Sequence, residues 1–166
     1  MTRKEQNDRF AAWICDHAGV LNKVARAYSF HPAEQQDLLQ EMQVAVWHSV
    51  PGFRAGSKVS SYIYRIALNR AISWVRRESA YRRKLDLIES APETAPGADT
   101  PDPRMELVYA EIRQLSKAER ALILMQLDGF SYEEIGQALG LSTTNVGARL
   151  TRIRRKLATN LKDTSA

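Results

Sequence analysis

The sequence contains few residues of the kinds that form metal centres and disulfide bonds. It has one cysteine, Cys15, and three histidines among 166 residues. A single cysteine excludes an internal disulfide and is typical of proteins from reducing compartments. His17 lies near Cys15 in the chain, but His31 and His48 stand at no spacing that completes a metal site. We therefore expect no bound metal and no cofactor.

Long apolar runs and strand-like patterns are also missing. No apolar stretch approaches the roughly 18 residues that cross a bilayer, and the polar N-terminus has no signal-peptide pattern. The chain has no internal repeat and no sustained alternation of apolar and polar residues, which would mark half-buried strands. These absences predict a soluble, cytoplasmic, all-α protein that does not insert into membranes.

Charge is unevenly distributed along the chain, whose formal net charge is +5. Residues 1–84 hold 14 Lys and Arg against 7 Asp and Glu, and residues 116–166 hold 8 against 5. Between them, residues 85–115 hold 2 basic against 7 acidic residues. Two basic blocks separated by an acidic one predict two polyanion-facing modules, joined by a segment that avoids nucleic acid.

Local signals near the C-terminus predict two helices separated by a tight turn. Ser131 and Glu134 have the spacing of a capping box, in which each side chain bonds the other residue's backbone amide at a helix start. Gly140 stands where a left-handed residue ends this helix, and Ser142 can cap the next one. A helix of about two turns followed by a turn of about three residues is typical of a helix-turn-helix.

The second of these helices carries two stripes of different chemistry. At about 100° per residue, the stripe expected to pack inward is Val146, Leu150, Ile153 and Leu157. The neighbouring stripe is Asn145, Arg149, Arg152 and Lys156, with Arg154 and Arg155 adding charge elsewhere. An amide and several cations can bond base edges or phosphates in a major groove, although a solvated basic face has the same composition. Gly147 costs about 1 kcal/mol relative to alanine inside a helix, which indicates either a close approach to another backbone or a glycine that is simply tolerated.

The N-terminal part of the chain predicts helices over residues 7–28 and 32–49. Pro32 suits a first helical turn and marks the boundary between them. The second helix has an apolar arc made of Leu38, Leu39, Met42, Ala45 and Val46. Its other side groups Asp37, Gln40, Glu41, Val44 and His48. This side is either a solvated face or a protein-docking face, because a catalytic role lacks a complementary nucleophile, phosphate loop or ligand set.

A loop over residues 51–58, with glycines, a proline and an aromatic residue, leads into a helix predicted over Val59–Arg77. One side of this helix is apolar, and the other side carries Tyr62, Arg65, Asn69, Arg70, Arg76 and Arg77. Cations can follow phosphates while aromatic rings stack on unpaired bases, at about 1 to 3 kcal/mol per base. The polar side therefore suits single-stranded or melted DNA at least as well as duplex. Burial in the core is the alternative for Tyr62 and for Trp74.

Residues 90–103 contain four of the six prolines and predict a flexible, acidic, extended linker. Beyond it, one helix is predicted over residues 104–115. A second capping box, Ser116 with Glu119, opens another helix that ends before Gly129. The predicted fold class is all-α, with two small helical domains joined by the linker.

Two groups of motifs resemble the sigma-70 family of bacterial transcription initiation factors. The matching segments are DLLQE (37–41) and YIYRIALN (62–69) for its region 2, and SYEEIG (131–136) and VGARL (146–150), with Arg152, Arg154 and Leu157, for its region 4. The short chain, with only a linker between the two regions, is similar to the extracytoplasmic-function group, which lacks the intervening region 3. The resemblance implies a sigma factor that binds core RNA polymerase and directs promoter-specific initiation.

The resemblance also implies a domain organisation. Residues 7–80 would form region 2, which docks on core polymerase and recognises and melts the −10 element. Residues 81–103 would form the linker and run through the RNA-exit path. Residues 104–161 would form region 4, a winged-helix-like helix-turn-helix that recognises the −35 element.

Individual roles follow from the same resemblance. The residues implied to bind the β′ clamp helices of core polymerase are Asp37, Gln40, Glu41 and Val44. Those implied to bind −10 DNA are Phe53, Arg54, Lys58, Tyr62, Arg65, Asn69, Arg70, Arg76 and Arg77. Those implied to bind −35 DNA are Thr143, Thr144, Asn145, Arg149, Arg152, Arg154, Arg155 and Lys156. The helices between residues 104 and 129 would meet the polymerase β flap, and an anti-sigma protein is a further implied partner.

The sequence departs from the family pattern at four positions. An aromatic residue is usual at Val59, tryptophan at Tyr62, an acidic residue at Ser73, and lysine or another polar residue at Gly147. These departures leave the −10 and −35 sequences unpredictable from the family. The alternative hypothesis is a stand-alone helix-turn-helix repressor or activator, which does not explain the second basic-aromatic helix. We expect no catalytic residues, because a nuclease would need a metal–carboxylate cluster that the sequence lacks.

Overall fold

A computed structural model describes residues 1–86 and 102–165. These residues form seven α-helices and one short 3₁₀ turn, and no strand occurs among them. The helices are α1 (Arg3–Tyr28), α2 (Pro32–Ser49), α3 (Val59–Asp86), α4 (Pro103–Gln114), α5 (Lys117–Leu127), α6 (Tyr132–Leu139) and α7 (Thr143–Ser165), and the turn is Val50–Gly52. The predicted all-α class is confirmed. A wing, which consists of strands, is missing from the described part of the C-terminal module.

Helices α1, α2 and α3 pack against one another in an N-terminal bundle. Each helix places apolar residues at three- and four-residue spacing on one side, and these sides meet in a common core. The largest fully buried side chains of this core are Leu21, Tyr28, Leu38, Met42, Ile63, Tyr64 and Leu68. The apolar arc predicted for α2 faces this core. Trp74 is also buried, so its alternative as a core residue is confirmed.

Helix α1 begins at Arg3, four residues before the predicted start. Thr2 and Glu5 form a capping box, in which Glu5 N donates to Thr2 Oγ1 at 3.2 Å and Thr2 N donates to Glu5 Oε2 at 2.7 Å. This box satisfies two backbone amides that would otherwise lack partners at the helix start. Sequence periodicity missed the first turn because it is polar on all sides.

Helix α3 continues to Asp86 and does not end at Arg77 as predicted. An ion pair between Arg82 and Glu34 joins its last turns to α2. The predicted linker over residues 81–103 therefore begins within a helix, and its residues 87–101 lie outside the described residues.

Helices α4 to α7 form the C-terminal module. Its buried apolar residues come from all four helices and include Ile112, Leu122, Met125, Ile135, Val146, Leu150 and Ile153. The inward stripe predicted for α7 is thereby confirmed. Both predicted capping boxes are present, Ser116 with Glu119 at the start of α5 and Ser131 with Glu134 at the start of α6. The two modules also contact each other, since α1 and α3 lie against α4, α5 and α6.

The turn between α6 and α7 depends on two glycines. Gly140 ends α6 in the left-handed region, with φ 70° and ψ 36°, which residues with a Cβ adopt only with strain. The chain then folds back so that Leu141 N donates to Gly136 O at 2.9 Å. A Cβ on Gly136 would lie 2.5 Å from Leu141 O. The turn therefore leaves no room for a side chain at Gly136.

Replacing Gly136 with valine should destabilise the C-terminal module. The branched side chain must displace the Leu141 carbonyl or open the turn, and overpacking of this kind costs about 1–3 kcal/mol. Gly19 provides a matched control, because it is helical and exposed, and beyond its own stretch of helix no atom of the described residues lies within 4 Å of its Cβ position. We expect Gly136→Val to lower the free energy of unfolding, measured by urea denaturation, by about 2 kcal/mol, and Gly19→Val to leave it nearly unchanged. Equal losses in the two variants would contradict the close approach.

Candidate nucleic-acid interface

Helix α7 presents the residues predicted to contact −35 DNA on its outer side. Ser142 caps the helix, since its Oγ accepts from Asn145 N at 3.2 Å. One turn further, Arg149 Nε donates to Asn145 Oδ1 at 2.8 Å, so this amide and guanidinium hold each other in place. Arg149 is half-buried, whereas the exposed members of the set are Thr143, Thr144, Asn145, Arg152, Arg154, Arg155 and Lys156. The whole set therefore lies on one helix, next to the turn that positions it.

The close neighbour of Gly147 is an aromatic ring. A Cβ on Gly147 would lie 3.3 Å from Cε2 of Tyr132, so the predicted approach to another backbone is wrong. Arg154 Nη2 donates to the Tyr132 hydroxyl at 2.5 Å. Tyr132 thus fixes the start of α6 against α7 and orients Arg154, one of the cations predicted to bind −35 DNA. Sequence reasoning missed this residue, although an aromatic side chain directly after the Ser131 cap was the available signal.

Helix α3 presents a second basic surface on the N-terminal bundle. The exposed members of the set predicted to bind −10 DNA are Arg54, Lys58, Arg65, Asn69, Arg70, Arg76 and Arg77. All but Arg54 and Lys58 belong to α3, and those two lie in the loop that precedes it. Burial of the apolar side of α3 leaves the polar side chains of this helix outside, so Arg65, Asn69, Arg70, Arg76 and Arg77 are brought together along α3.

Phe53 and Tyr62 differ from the cations because they are half-buried in an aromatic cluster. Their ring centroids lie 5.1 Å apart, and Trp13 contacts both in edge-to-face geometry, at 5.2 Å from Phe53 and 6.1 Å from Tyr62. The Tyr62 hydroxyl donates to Ser49 O at 3.1 Å. The guanidinium of Arg65 lies 5.5 Å from the centre of the Tyr62 ring. Tyr62 therefore packs against Trp13 and Phe53, and its ring also lies beside the cations of the α3 surface.

The residues predicted to bind polymerase border a shallow concavity between α2 and α3. It has a volume of about 560 Å³ and is lined by Asp37, Gln40, Glu41, Val44, Arg70, Trp74 and Glu78. Val44 is 56% exposed, whereas Leu38, Met42 and Val46 of the same helix are fully buried. Arg77 Nη2 lies 2.6 Å from Glu41 Oε2, and this ion pair joins the concavity to the basic surface of α3.

Hydrogen bonds lower the pKa of two carboxylates that cap helices of the C-terminal module. The hydrogen bond from Lys58, followed by the bond from the Ser131 amide, lowers the pKa of Glu134, and the bond from the Ser116 amide does the same for Glu119. Both carboxylates are therefore ionised at neutral pH. Within the described ranges, no three His, Cys, Asp or Glu side chains are grouped so that they could hold a metal ion. None of the described helices has both the length and the apolar composition that crossing a bilayer requires.

Comparisons with protein families give two matches in chain order. Sigma-70 region 2 matches residues 13–81, and Sigma-70, region 4 matches residues 105–157. Together these matches cover most of the chain.

Curated relatives extend the similarity over almost the full length. The ECF RNA polymerase sigma factor SigE of Mycolicibacterium smegmatis is 29% identical to this chain. The match covers 87% of this chain and 58% of the length of SigE. The RNA polymerase sigma factor NccH of Alcaligenes xylosoxydans is 28% identical over 96% of this chain and 91% of its own length. The RNA polymerase sigma factor YlaC of Bacillus subtilis is 29% identical over 86% of this chain and 85% of its own length.

Two solved structures share the fold. The sigma factor RpoE, in complex with the anti-sigma factor NepR from Bartonella quintana, has a TM-score of 0.76 at 22% identity and covers 93% of this chain and 97% of its own. CnrH, in complex with the cytosolic domain of CnrY, has a TM-score of 0.66 at 22% identity and covers 95% of this chain and 90% of its own.

A helix-turn-helix with a basic second helix, beside a second helical face that combines cations with an aromatic ring, defines a DNA-binding transcription factor. The matched regions, their order and the relatives narrow this class. The chain belongs to the sigma-70 family, and within it to the extracytoplasmic-function group of promoter-directing sigma factors.

Proposed function

We propose that this protein binds core RNA polymerase and directs it to promoters by contacting DNA at two separate places. The observation that carries the proposal is the presence of two basic surfaces on different modules, one on α7 and one on α3, beside a docking concavity on α2. A stand-alone repressor or activator would need the helix-turn-helix alone, so that alternative leaves the surfaces of α2 and α3 without a role.

The outer side of α7 is proposed to read the −35 element in the major groove. Asn145, Arg149 and Arg152 carry the sequence specificity, because amides and guanidinium groups bond base edges in pairs. Arg154, Arg155 and Lys156 hold phosphates, and their contribution weakens as the salt concentration rises. The hydrogen bond between Asn145 and Arg149 supports a helix on which these two groups hold each other in place.

The basic surface of α3 is proposed to bind the −10 element after its strands separate. The cations contact phosphates, while Asn69 and the Tyr62 ring bind unpaired bases. Stacking on an aromatic side chain contributes about 1–3 kcal/mol per base, which offsets the loss of stacking within the duplex. Melting is therefore driven by binding and needs no ATP. The protein has no active site in this scheme, since the chemistry belongs to the polymerase.

The remaining surfaces are proposed to bind proteins in the cytoplasm. Asp37, Gln40, Glu41 and Val44 dock on the β′ clamp helices, and helices α4 and α5 meet the β flap. The linker, proposed over residues 81–103, follows the RNA-exit path, where its carboxylates replace nucleic-acid phosphates. An anti-sigma protein is the proposed inhibitor. The support is that the two relatives described above were solved with NepR and with the cytosolic domain of CnrY.

Run-off transcription tests the proposed function directly. Purified core polymerase with this protein should start transcripts at discrete positions on fragments of its own genome, and core polymerase alone should not. A protein that binds duplex DNA but neither binds core polymerase nor supports initiation would be a stand-alone regulator. Asp37→Lys with Glu41→Lys should abolish initiation while leaving duplex binding intact, because it reverses the charge of the docking face.

Arg149→Ala should weaken binding to a promoter mapped in that way. If Arg149 bonds a base edge, the loss at the matched −35 sequence is about 1–3 kcal/mol, and it disappears on a scrambled −35 sequence. Arg155→Ala is the comparison, because a phosphate contact should be lost equally on both sequences and lower the salt slope by about 1. Fluorescence anisotropy measures the affinity of each of the two variants for the matched and for the scrambled −35 sequence. An unchanged affinity of Arg149→Ala at the matched site would remove this residue from the reading set.

Substituting Asn69 and Tyr62 together by alanine should impair melting more than duplex binding. Permanganate oxidises unpaired thymines, so its reactivity at the −10 element reports strand separation within the polymerase complex. Ser73→Ala, an exposed change on the same helix, should leave the reactivity unchanged. Since Tyr62 also packs against Phe53, the thermal unfolding of the double variant is measured alongside. A folded variant that loses melting and duplex binding to the same extent would contradict a strand-holding role.

A further inference from the structure

The first half of α1 is fastened to the end of α2. Helix α1 bends at His17, where φ is −124° and ψ is 18°, and residues 3–16 precede the bend. Gln6 Nε2 donates to Trp47 O at 2.8 Å, and Trp47 Nε1 donates to Asn7 Oδ1 at 2.8 Å. Because both bonds end on one residue of α2, this segment can neither slide along α2 nor rotate on it without breaking them.

Trp13 is the part of this segment that enters the protein interior. Among residues 3–16, it alone is buried, with 7% of its surface exposed. The rings of Phe53 and Tyr62 stand nearly perpendicular to the indole, at 83° and 73°. Such pairs attract each other because the positive edge of one ring meets the negative face of the other. One side chain of α1 therefore packs against both aromatic residues of the set predicted to bind −10 DNA.

The two rings depend on this contact for their orientation. The Tyr62 hydroxyl donates to Ser49 O, but a ring that is fixed at one end can still tilt about that end. Phe53 follows the 3₁₀ turn, where its backbone N donates to Val50 O at 3.3 Å, and its apolar side chain is ordered by packing alone. The indole of Trp13 lies against both rings and limits the tilt of each.

We infer that Trp13 is a positioning residue for −10 DNA, which holds the rings of Phe53 and Tyr62 in the orientation that receives unpaired bases. This inference rests on the proposed function, because it adds a support to the surface proposed for the −10 element. Trp13 itself is buried and contacts no DNA. Binding costs less when a group is already ordered, so a fixed ring leaves more of the stacking energy to offset strand separation.

Three variants separate this role from the contribution that any buried tryptophan makes to folding. Trp13→Leu keeps an apolar side chain but removes the ring, and Trp13→Phe keeps a ring. Leu21→Ala is the matched control, because Leu21 is fully buried in the same helix and lies about 12 Å along its axis from Trp13. Thermal unfolding ranks the stability of the variants, and the other assays are run below the lowest transition.

Permanganate reactivity measures strand separation in complexes of core polymerase with each variant, at a promoter mapped by run-off transcription. Trp13→Leu should lower the reactivity of the −10 thymines by about two- to tenfold, the range that corresponds to one lost ring–ring contact. Its binding to core polymerase and to the −35 duplex should not change. Trp13→Phe should restore most of the reactivity, and Leu21→Ala should keep it even though this variant unfolds at a lower temperature.

A double-mutant cycle shows whether Trp13 acts through its neighbours. In a protein that already carries Tyr62→Leu, adding Trp13→Leu should cost clearly less reactivity than it does in the unmodified protein, because one of the rings to be positioned is gone. The same fold loss in both backgrounds would contradict the inference.

The remaining outcomes also decide the matter. Full reactivity of Trp13→Leu, or no recovery in Trp13→Phe, would overturn the inference. A loss of reactivity that follows the loss of stability in both Trp13→Leu and Leu21→Ala would overturn it too, since destabilisation would then explain both. A failure of the proposed function looks different, because the unmodified protein with core polymerase would then open no promoter, and the role of Trp13 would fall with it.

Discussion

Helix α3 buries one side against α1 and α2, and this burial decides which side chains of α3 remain on the surface. Ile63 and Ala67 are fully buried, so α3 cannot rotate about its axis without exposing them. At 3.6 residues per turn, the opposite side then carries Arg65 and Asn69. The same orientation of α3 places Trp74 beside α2, where it lines the concavity between the two helices. The surface proposed to face polymerase and the surface proposed to face DNA are therefore held at fixed positions on one continuous helix.

Much of this architecture is encoded in signals that act over a few residues. The capping boxes at Ser116 and Ser131 were predictable because each satisfies backbone amides within three positions. The inward stripe of α7 was predictable from spacing alone. The ends of a helix are harder to predict where its apolar packing stops before the last turn. The polar first turn of α1 and the last turns of α3 have no apolar period, and they are fixed by Thr2 and by the ion pair of Arg82 with Glu34.

The contact between the modules had no counterpart in the sequence. Lys23 and Asp128 are separated by 105 positions, and Lys58 and Glu134 by 76. Each of these side chains is indistinguishable in sequence from an ordinary solvated charge. Arg120 shows the same difficulty, since it is 8% exposed and bonds three backbone carbonyls, and no carboxylate in the described part of the chain pairs with it. The structural role of such an arginine becomes visible only in the folded protein, where the carbonyls that it bonds lie next to it.

Glu134 performs two tasks that usually fall to different residues. Its Oε2 accepts from Ser131 N at 2.8 Å and completes the capping box of α6, while its Oε1 pairs with Lys58. Glutamine can perform the first task but carries no charge for the second. A single carboxylate therefore couples the initiation of α6 to the contact between the modules, and replacing it with glutamine would keep the first and remove the charge of the second.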